Sequence, residues 1–330
     1  MNDYFSPKQI LSTLGGVLVV LWLLGVYWSF SPDTFSVKAS VAAFTQETNL
    51  QPVTGVATTT AVIDVGDTLL HKSGGYLSND MLPPSVLLDN MPAWEFGVLE
   101  MLRDITLSLR KDFSRSQSQS VENEYLVKAQ PNLNIDSTNW ILPSAESQYQ
   151  EAFDLIKLYR ADLADVSKGN SQFYARADNL RDWLKEVEKR LGSMSQKLSA
   201  SVGSDVIDTN LAGDPAATQS TFTPEHKQTK TSWWLLDDNF YQARGMSWAL
   251  IHFLKAVEID FADVLEKKNA LVSLRQIIRE LEATQETVFS PFILNGSGFG
   301  IVANHSLVMA NYISRANAAL IELSELLNQG

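Results

Sequence analysis

The sequence predicts an all-α protein: one N-terminal transmembrane helix, then a helical bundle containing a long antiparallel coiled-coil-like hairpin. Three observations carry that expectation. Residues 10–30, "ILSTLGGVLVVLWLLGVYWSF", are apolar and uncharged. Beyond them, apolar residues recur at alternating steps of four and three, the period of one helix face. Nowhere do apolar and polar residues alternate over enough positions to make a sheet, and no repeat of fixed period is present.

The first element is the apolar run. About twenty residues at 1.5 Å each reach roughly 30 Å, the thickness of a bilayer's hydrocarbon. A cleaved signal peptide is the competing reading, but its apolar region runs to about 7–15 residues and ends in a small-residue cleavage site. Here Tyr27, Trp28 and Phe30 close the run, as in an aromatic interfacial belt. A buried soluble helix is the other alternative, and it would have to hide Trp22 and its neighbours on every side. Residues 1–9 are expected to be a short cytoplasmic tail, 10–30 the anchor and 31–330 a helical body outside the cytoplasm, which in a bacterium means the periplasm.

Segment 33–72 reads as two helices, stopped at Ser73-Gly74-Gly75, where glycine takes the left-handed turn of a helix end. Pro83-Pro84 forbids helix locally. Pro92 suits the first turn of the next helix, with Asn90 upstream as a cap, and this helix extends to about Phe113. The polar run "SRSQSQS" breaks it, and a short helix follows around 122–129. Ala152, Ile156, Tyr159, Leu163 and Val166 then form a stripe. A second stripe joins Phe173, Ala177, Leu180, Leu184, Val187, Leu191, Met194 and Leu198. With "SKGNS" between them, helices 144–167 and 171–200 are expected to pair as a hairpin, since short connections make neighbours antiparallel. Residues 201–231 are small and polar and read as a long loop. Helix resumes near Asp238, with stripes at Leu250, Leu254, Val257 and Phe261, then at Leu271, Leu274, Ile278 and Leu281. The last helix carries Met309, Ile313, Ala316, Leu320, Leu323 and Leu327. Before it lies "VFSPFILNGSGFGIVANH", which contains no Asp, Glu, Lys or Arg.

Composition narrows the chemistry. The 330 residues carry a net charge of -12 and no cysteine. Asp3 and Lys8 cancel within residues 1–30, so the remaining chain holds all of that charge. Such a body repels phosphates, so no nucleic-acid partner is expected. Thiolate metal sites, disulfides and cysteine nucleophiles are excluded. His71, His226, His252 and His305 make neither H-x-x-x-H nor E-x-x-H, so no metal and no cofactor is expected. Gly296, Gly298 and Gly300 follow G-x-G-x-G without a surrounding βαβ unit, and read as a flexible turn that permits close backbone approach rather than a dinucleotide loop. Ser108 and Lys111 make an isolated S-x-x-K, a spacing common by chance.

Two stretches offer candidate sites. "SWWLLDDNFYQARGMSWAL" sets Trp233, Trp234, Tyr241 and Trp248 around Asp237, Asp238 and Arg244. Aromatic faces with directional polar groups suit a sugar or peptide groove; the alternative is a helix start whose aspartate caps and whose tryptophans anchor. "GGYLSNDMLPPSVLLDNMPAWEFG" contributes Asp80, Asp89 and Glu95, as acids and bases or as the polar residues of a corner. His305 completes the catalytic candidates: Asp89, Glu95, Asp237, Asp238, Arg244 and His305.

These two stretches, together with "NGSGFGIVANHSLVMANYISRANAA", resemble a proteobacterial family designated domain of unknown function 2333. The resemblance implies a single-pass inner-membrane protein of Gram-negative bacteria. It brings no activity, ligand or catalytic residue. The expected function is a membrane-anchored cell-envelope module that docks another protein through the hairpin or the Trp233–Trp248 region, with oligomerisation left open. The alternative is a cell-wall-directed sugar- or peptide-binding protein or hydrolase.

Overall fold

A computed structural model describes residues 7–116, 120–165, 167, 169, 171–207, 226–290 and 292–329. The fold is all-α. Helix α1 (Pro7–Trp28) is long and apolar enough to cross a membrane, and almost none of it is buried by the rest of the protein. After it come α2 (Val37–Thr48) and α3 (Val56–His71). The corner at 72–88 leads into α4 (Asn90–Ser108), which ends in a single π turn at Leu109–Phe113. Asp89, rather than Asn90, occupies the N-cap and accepts the Asn90 N–H at 2.8 Å.

The next helices are α5 (Glu124–Leu133), α6 (Ala145–Ala164) and α7 (Ala177–Ser199). Then α8 (Leu236–Asp260), α9 (Ala262–Lys267), α10 (Leu271–Ala283) and α11 (His305–Asn328) complete the body. One hydrophobic cluster runs from Val37 to Leu327. Its centre is α8, buried on nearly every side, as a helix apolar all round must be. Helix α4 crosses it where Gly97 and Gly245 meet: a methyl group on Gly97 would overlap the Gln242 carbonyl, and one on Gly245 the Trp94 carbonyl.

The expected hairpin does not form. Helix α6 packs on α5 and α3, while α7 packs on α11. Helix α6 ends at Ala164 and α7 begins only at Ala177; the described residues Ser171 to Arg176 belong to neither helix, and the Phe173 ring lies against Phe113 and Phe261. Phe173 thus precedes α7 instead of starting its stripe. The antiparallel partner of α7 is the C-terminal helix: Arg181 donates to Asn328 Oδ1 at 2.9 Å, and Ser195 Oγ to the Ala310 carbonyl at 3.3 Å. Of the stripes read from the sequence, Ala152, Ile156, Tyr159 and Leu163 of α6 and Leu180, Leu184, Val187, Leu191, Met194 and Leu198 of α7 are buried, α6 against the neighbouring α5 and the more distant α3, α7 against α11; Val166 lies outside the described residues.

The polar stretch 201–231 also differs from a plain loop. Its ends, Ser204–Ile207 and His226–Thr229, pair as antiparallel strands with Ser204 opposite Thr229. Residues 208–225 lie outside the described residues, as do parts of the "SRSQSQS" and "SKGNS" segments and residues 1–6 of the expected tail.

Candidate functional site

Three catalytic candidates gather where α4 and α8 begin. Trp233–Leu235 form a short 3₁₀ turn that leaves both tryptophans exposed, and α8 starts at Leu236. No side chain caps α8. Instead Asp237 and Asp238 occupy its first turn, where carboxylates complement the helix dipole. The Asp238 N–H donates to Asp237 Oδ1 at 3.2 Å. Partial burial pushes the Asp238 carboxyl up to about 6, helped by the charges of Asp89 and Asp237 and opposed by Lys197. Lys197 Nζ donates to Gln242 Oε1 at 2.7 Å, and Gln242 Nε2 to Glu100 Oε2 at 2.8 Å. Arg190 closes this network on Glu100 and Asp104, each at 2.8 Å.

The other three candidates serve elsewhere. Arg244 donates to the carbonyls of Gln285 and Glu286 at 2.7 and 2.8 Å, satisfying backbone just past the end of α10. Burial lowers its pKa. His305 Nδ1 accepts the Leu294 N–H at 3.1 Å, and burial lowers its pKa too. It lines an apolar groove of about 230 Å³ with Phe240, Val288, Phe289, Met309 and Tyr312. Glu95 is completely buried. It accepts the N–H groups of Leu77 and Ser78, each at 2.8 Å, and the Ser78 hydroxyl, and it pairs with Lys72, whose ammonium also reaches the Gly75 carbonyl. Burial raises the Glu95 carboxyl, and Lys72 opposes that shift. Glu95 therefore bolts the corner after α3. Asp80 lies exposed in that corner.

The four aromatic candidates divide as well. Trp233 and Trp234 are on the surface, Tyr241 is half-buried edge-on to Phe240, and Trp248 is core. Trp248 packs on Trp94 and donates its indole N–H to the Asp33 carbonyl at 3.2 Å.

His252 was legible only as a histidine without metal spacing, yet it seats the segment that follows α1. Its Nε2 accepts the Phe35 N–H at 3.0 Å, its Nδ1 faces the Trp248 carbonyl at 2.7 Å, and the Phe35 ring stacks on it at 3.9 Å. This pattern assigns the proton to Nδ1, and burial holds the pKa down to about 4. Among the described residues no cluster of His, Asp and Glu could hold a metal ion. Ser108 is buried and Lys111 exposed. In the glycine turn the backbone approaches closely at Gly296, where a methyl would overlap the Val302 carbonyl and the N–H donates to the Ala303 carbonyl at 2.9 Å, while Gly298 and Gly300 are exposed.

An exposed apolar surface went unread in the sequence. Phe289, Phe292, Phe299, Ile301 and Val302 of the charge-free loop all project outward. Asn295 of that loop binds the Ser201 carbonyl at 2.9 Å, and the Thr231 N–H binds the Ala200 carbonyl at 2.9 Å. The loop and the segment leading into the Trp233–Trp234 turn are thereby attached to adjacent residues, Ser201 and Ala200.

No curated protein and no solved structure matches the chain. One family model does, over residues 6–330, and its description is "Uncharacterized protein conserved in bacteria". With nearly its whole length matched, the chain belongs to that bacterial family, DUF2333.

Proposed function

We propose that the protein is an inner-membrane docking module: α1 anchors it with the N-terminus in the cytoplasm, and residues 31–330 stand in the periplasm to bind another envelope protein. The docking surface is the Trp233–Trp234 turn with the adjoining 289–302 loop. The observation that carries this reading is the set of outward aromatic and branched side chains on a loop without charge. Surfaces of that kind mark interaction sites when they are contiguous. Asp237 and Asp238 border the turn, and the body holds the whole -12 charge, so the partner presents apolar anchors flanked by Lys or Arg. The expected hairpin surface drops out of the proposal, because the stripes of α6 and α7 are already covered.

The test is photo-crosslinking in intact cells. A crosslinking residue at Trp234 or Phe299 should give one discrete adduct, and at Lys189 of α7 none. Equal labelling at all three positions, or none anywhere, overturns the reading.

A second reading keeps the wall-directed alternative. Asp238, with its carboxyl near 6, follows two exposed tryptophans, an arrangement suited to stacking a sugar and protonating a leaving group. Purified full-length protein should then release fragments from peptidoglycan, and Asp238→Asn should slow release by roughly 10²-fold or more. No release by the unaltered protein removes this reading.

A further inference from the structure

The last two turns of α1 are not bare. Leu21, Gly25 and Trp28, at steps of four and three, lie on one covered face, while Trp22, Leu23, Val26 and Tyr27 are exposed. The cover is the corner between α3 and α4. A methyl group on Gly25 would lie 3.5 Å from Pro84 Cβ and 3.7 Å from Leu88 Cδ2, and the Trp28 indole packs on Gly74. Gly25 precedes Trp28 by three residues, or about 4.5 Å of helix rise. The corner therefore stands beside the end of α1, not below it.

What the corner shows to its surroundings is apolar. Residues 81–88, "MLPPSVLL", contain no charge and are bracketed by Asp80 and Asp89. Met81, Leu82, Val86 and Leu87 are 61%, 76%, 52% and 77% exposed. A second uncharged loop is attached alongside. Asn79 Nδ2 donates to the Asn139 carbonyl at 3.2 Å, and the Tyr76 hydroxyl to the Ser137 carbonyl at 3.1 Å. That loop exposes Trp140, Ile141 and, at 91%, Leu142. Asp136 and Glu146 bracket it in turn. The base of the whole assembly is held by the buried Lys72–Glu95 pair, so these side chains are presented on a fixed frame.

We propose that loops 81–88 and 139–142 form a second membrane contact, a wedge seated in the leaflet that the C-terminal end of α1 crosses. The inference rests on the reading that α1 spans a bilayer. Given that, continuity with α1 selects lipid as the occupant, because whatever surrounds Gly25 also surrounds Pro84 and Leu88. Depth is consistent. The residues beside Gly25 lie about 5 Å to the hydrocarbon side of Trp28, within the roughly 5–10 Å reached by interfacial elements. Deeper entry is opposed by the open backbone of the loops and by the four flanking carboxylates. The wedge fixes the tilt and rotation of the periplasmic body over the membrane, which one helix alone does not.

The absence of cysteine makes the test direct. Single variants Leu18→Cys, Leu82→Cys, Leu142→Cys and Lys189→Cys of the full chain are labelled with an environment-sensitive fluorophore. They are then reconstituted in phosphatidylcholine–phosphatidylglycerol vesicles. Lipid carrying a shallow nitroxide should quench labels at Leu82 and Leu142 at least roughly threefold more than at Lys189, and iodide the reverse, as expected of interfacial insertion. Leu18 should be shielded from iodide. If Leu18 is shielded while either loop reports water, the wedge is overturned and the anchor stands. If Leu18 itself reports water, the anchor fails, and the wedge with it.

Discussion

At the residue scale, burial decides what each titratable group does. Glu95 and Lys72 are almost wholly withdrawn from water and compensate each other. Glu95→Gln strands the ammonium and should destabilise the protein by about 3–5 kcal/mol in urea unfolding of the detergent-solubilised chain, whereas Lys72→Met with Glu95→Leu should recover much of that loss. A small effect of the single change would show that the pair is not closed off. His252 and Asp238 pull stability in opposite directions with pH. The folded-state pKa of His252 is depressed, so its contribution is complete above its unfolded value near 6.5 and is lost as pH falls toward about 4. Asp238 is raised, so its contribution is complete below about 4 and is lost as pH rises through about 6. Asp238→Asn removes the second term. The variant should lose stability more steeply than the parent between pH 6 and 4, and at pH 7 should gain about 1 kcal/mol or less, since Asp238 is partly screened by solvent. Parallel stability curves would contradict this. Of the candidate residues, Asp237 and Asp238 were legible as marking a helix start, but as its cap; both lie in the first turn and neither caps it. Glu95 was not legible as a bolt, because its partner Lys72 stands 23 residues away and nothing in either neighbourhood announces the pairing.

Elements were legible wherever periodicity was strong. Helices α2, α3, α4, α8, α10 and α11 lie where the apolar stripes and punctuation place them, and Asn304 caps α11 by accepting the Leu307 N–H at 2.8 Å. Pairing was not legible. A stripe at steps of four and three states that a face is buried and not by which helix. Steric fit between elements makes its own test. Gly97→Ala places a methyl against backbone of α8, which cannot rotate away, and should cost about 1–3 kcal/mol or more. Gly192→Ala, in α7, meets only the end of the Asn317 side chain at 3.5 Å and should stabilise by about 0.5–1 kcal/mol through helix propensity. Thermal melts of the two variants should therefore move in opposite directions. Equal shifts would mean that the α4–α8 crossing is looser than its geometry shows.

For the whole molecule, one helix stands apart from a body whose apolar residues otherwise turn inward. An anchor of that length resists alkaline carbonate, and the full-length protein should remain in the membrane pellet; its release into the wash would refute the spanning reading. The body adds two outward apolar regions. The corner that carries the 81–88 loop adjoins α1 and holds the 139–142 loop through Tyr76 and Asn79, while the 289–302 loop is attached with the segment before the Trp233–Trp234 turn near residues 200–201. The first is assigned to lipid and the second to a protein partner.

By itself the sequence determined the helical class, the apolar run of α1, most helix positions and the faces they bury. These follow from local spacing, because a helix face is written within a dozen consecutive residues. Only the tertiary structure decided that α7 lies on α11 and not on α6, that Glu95 is sealed against Lys72, and that one uncharged loop flanks the end of α1 with a second attached to its corner. Those facts depend on contacts between distant segments, and an apolar or charged residue carries no address for the partner it will meet.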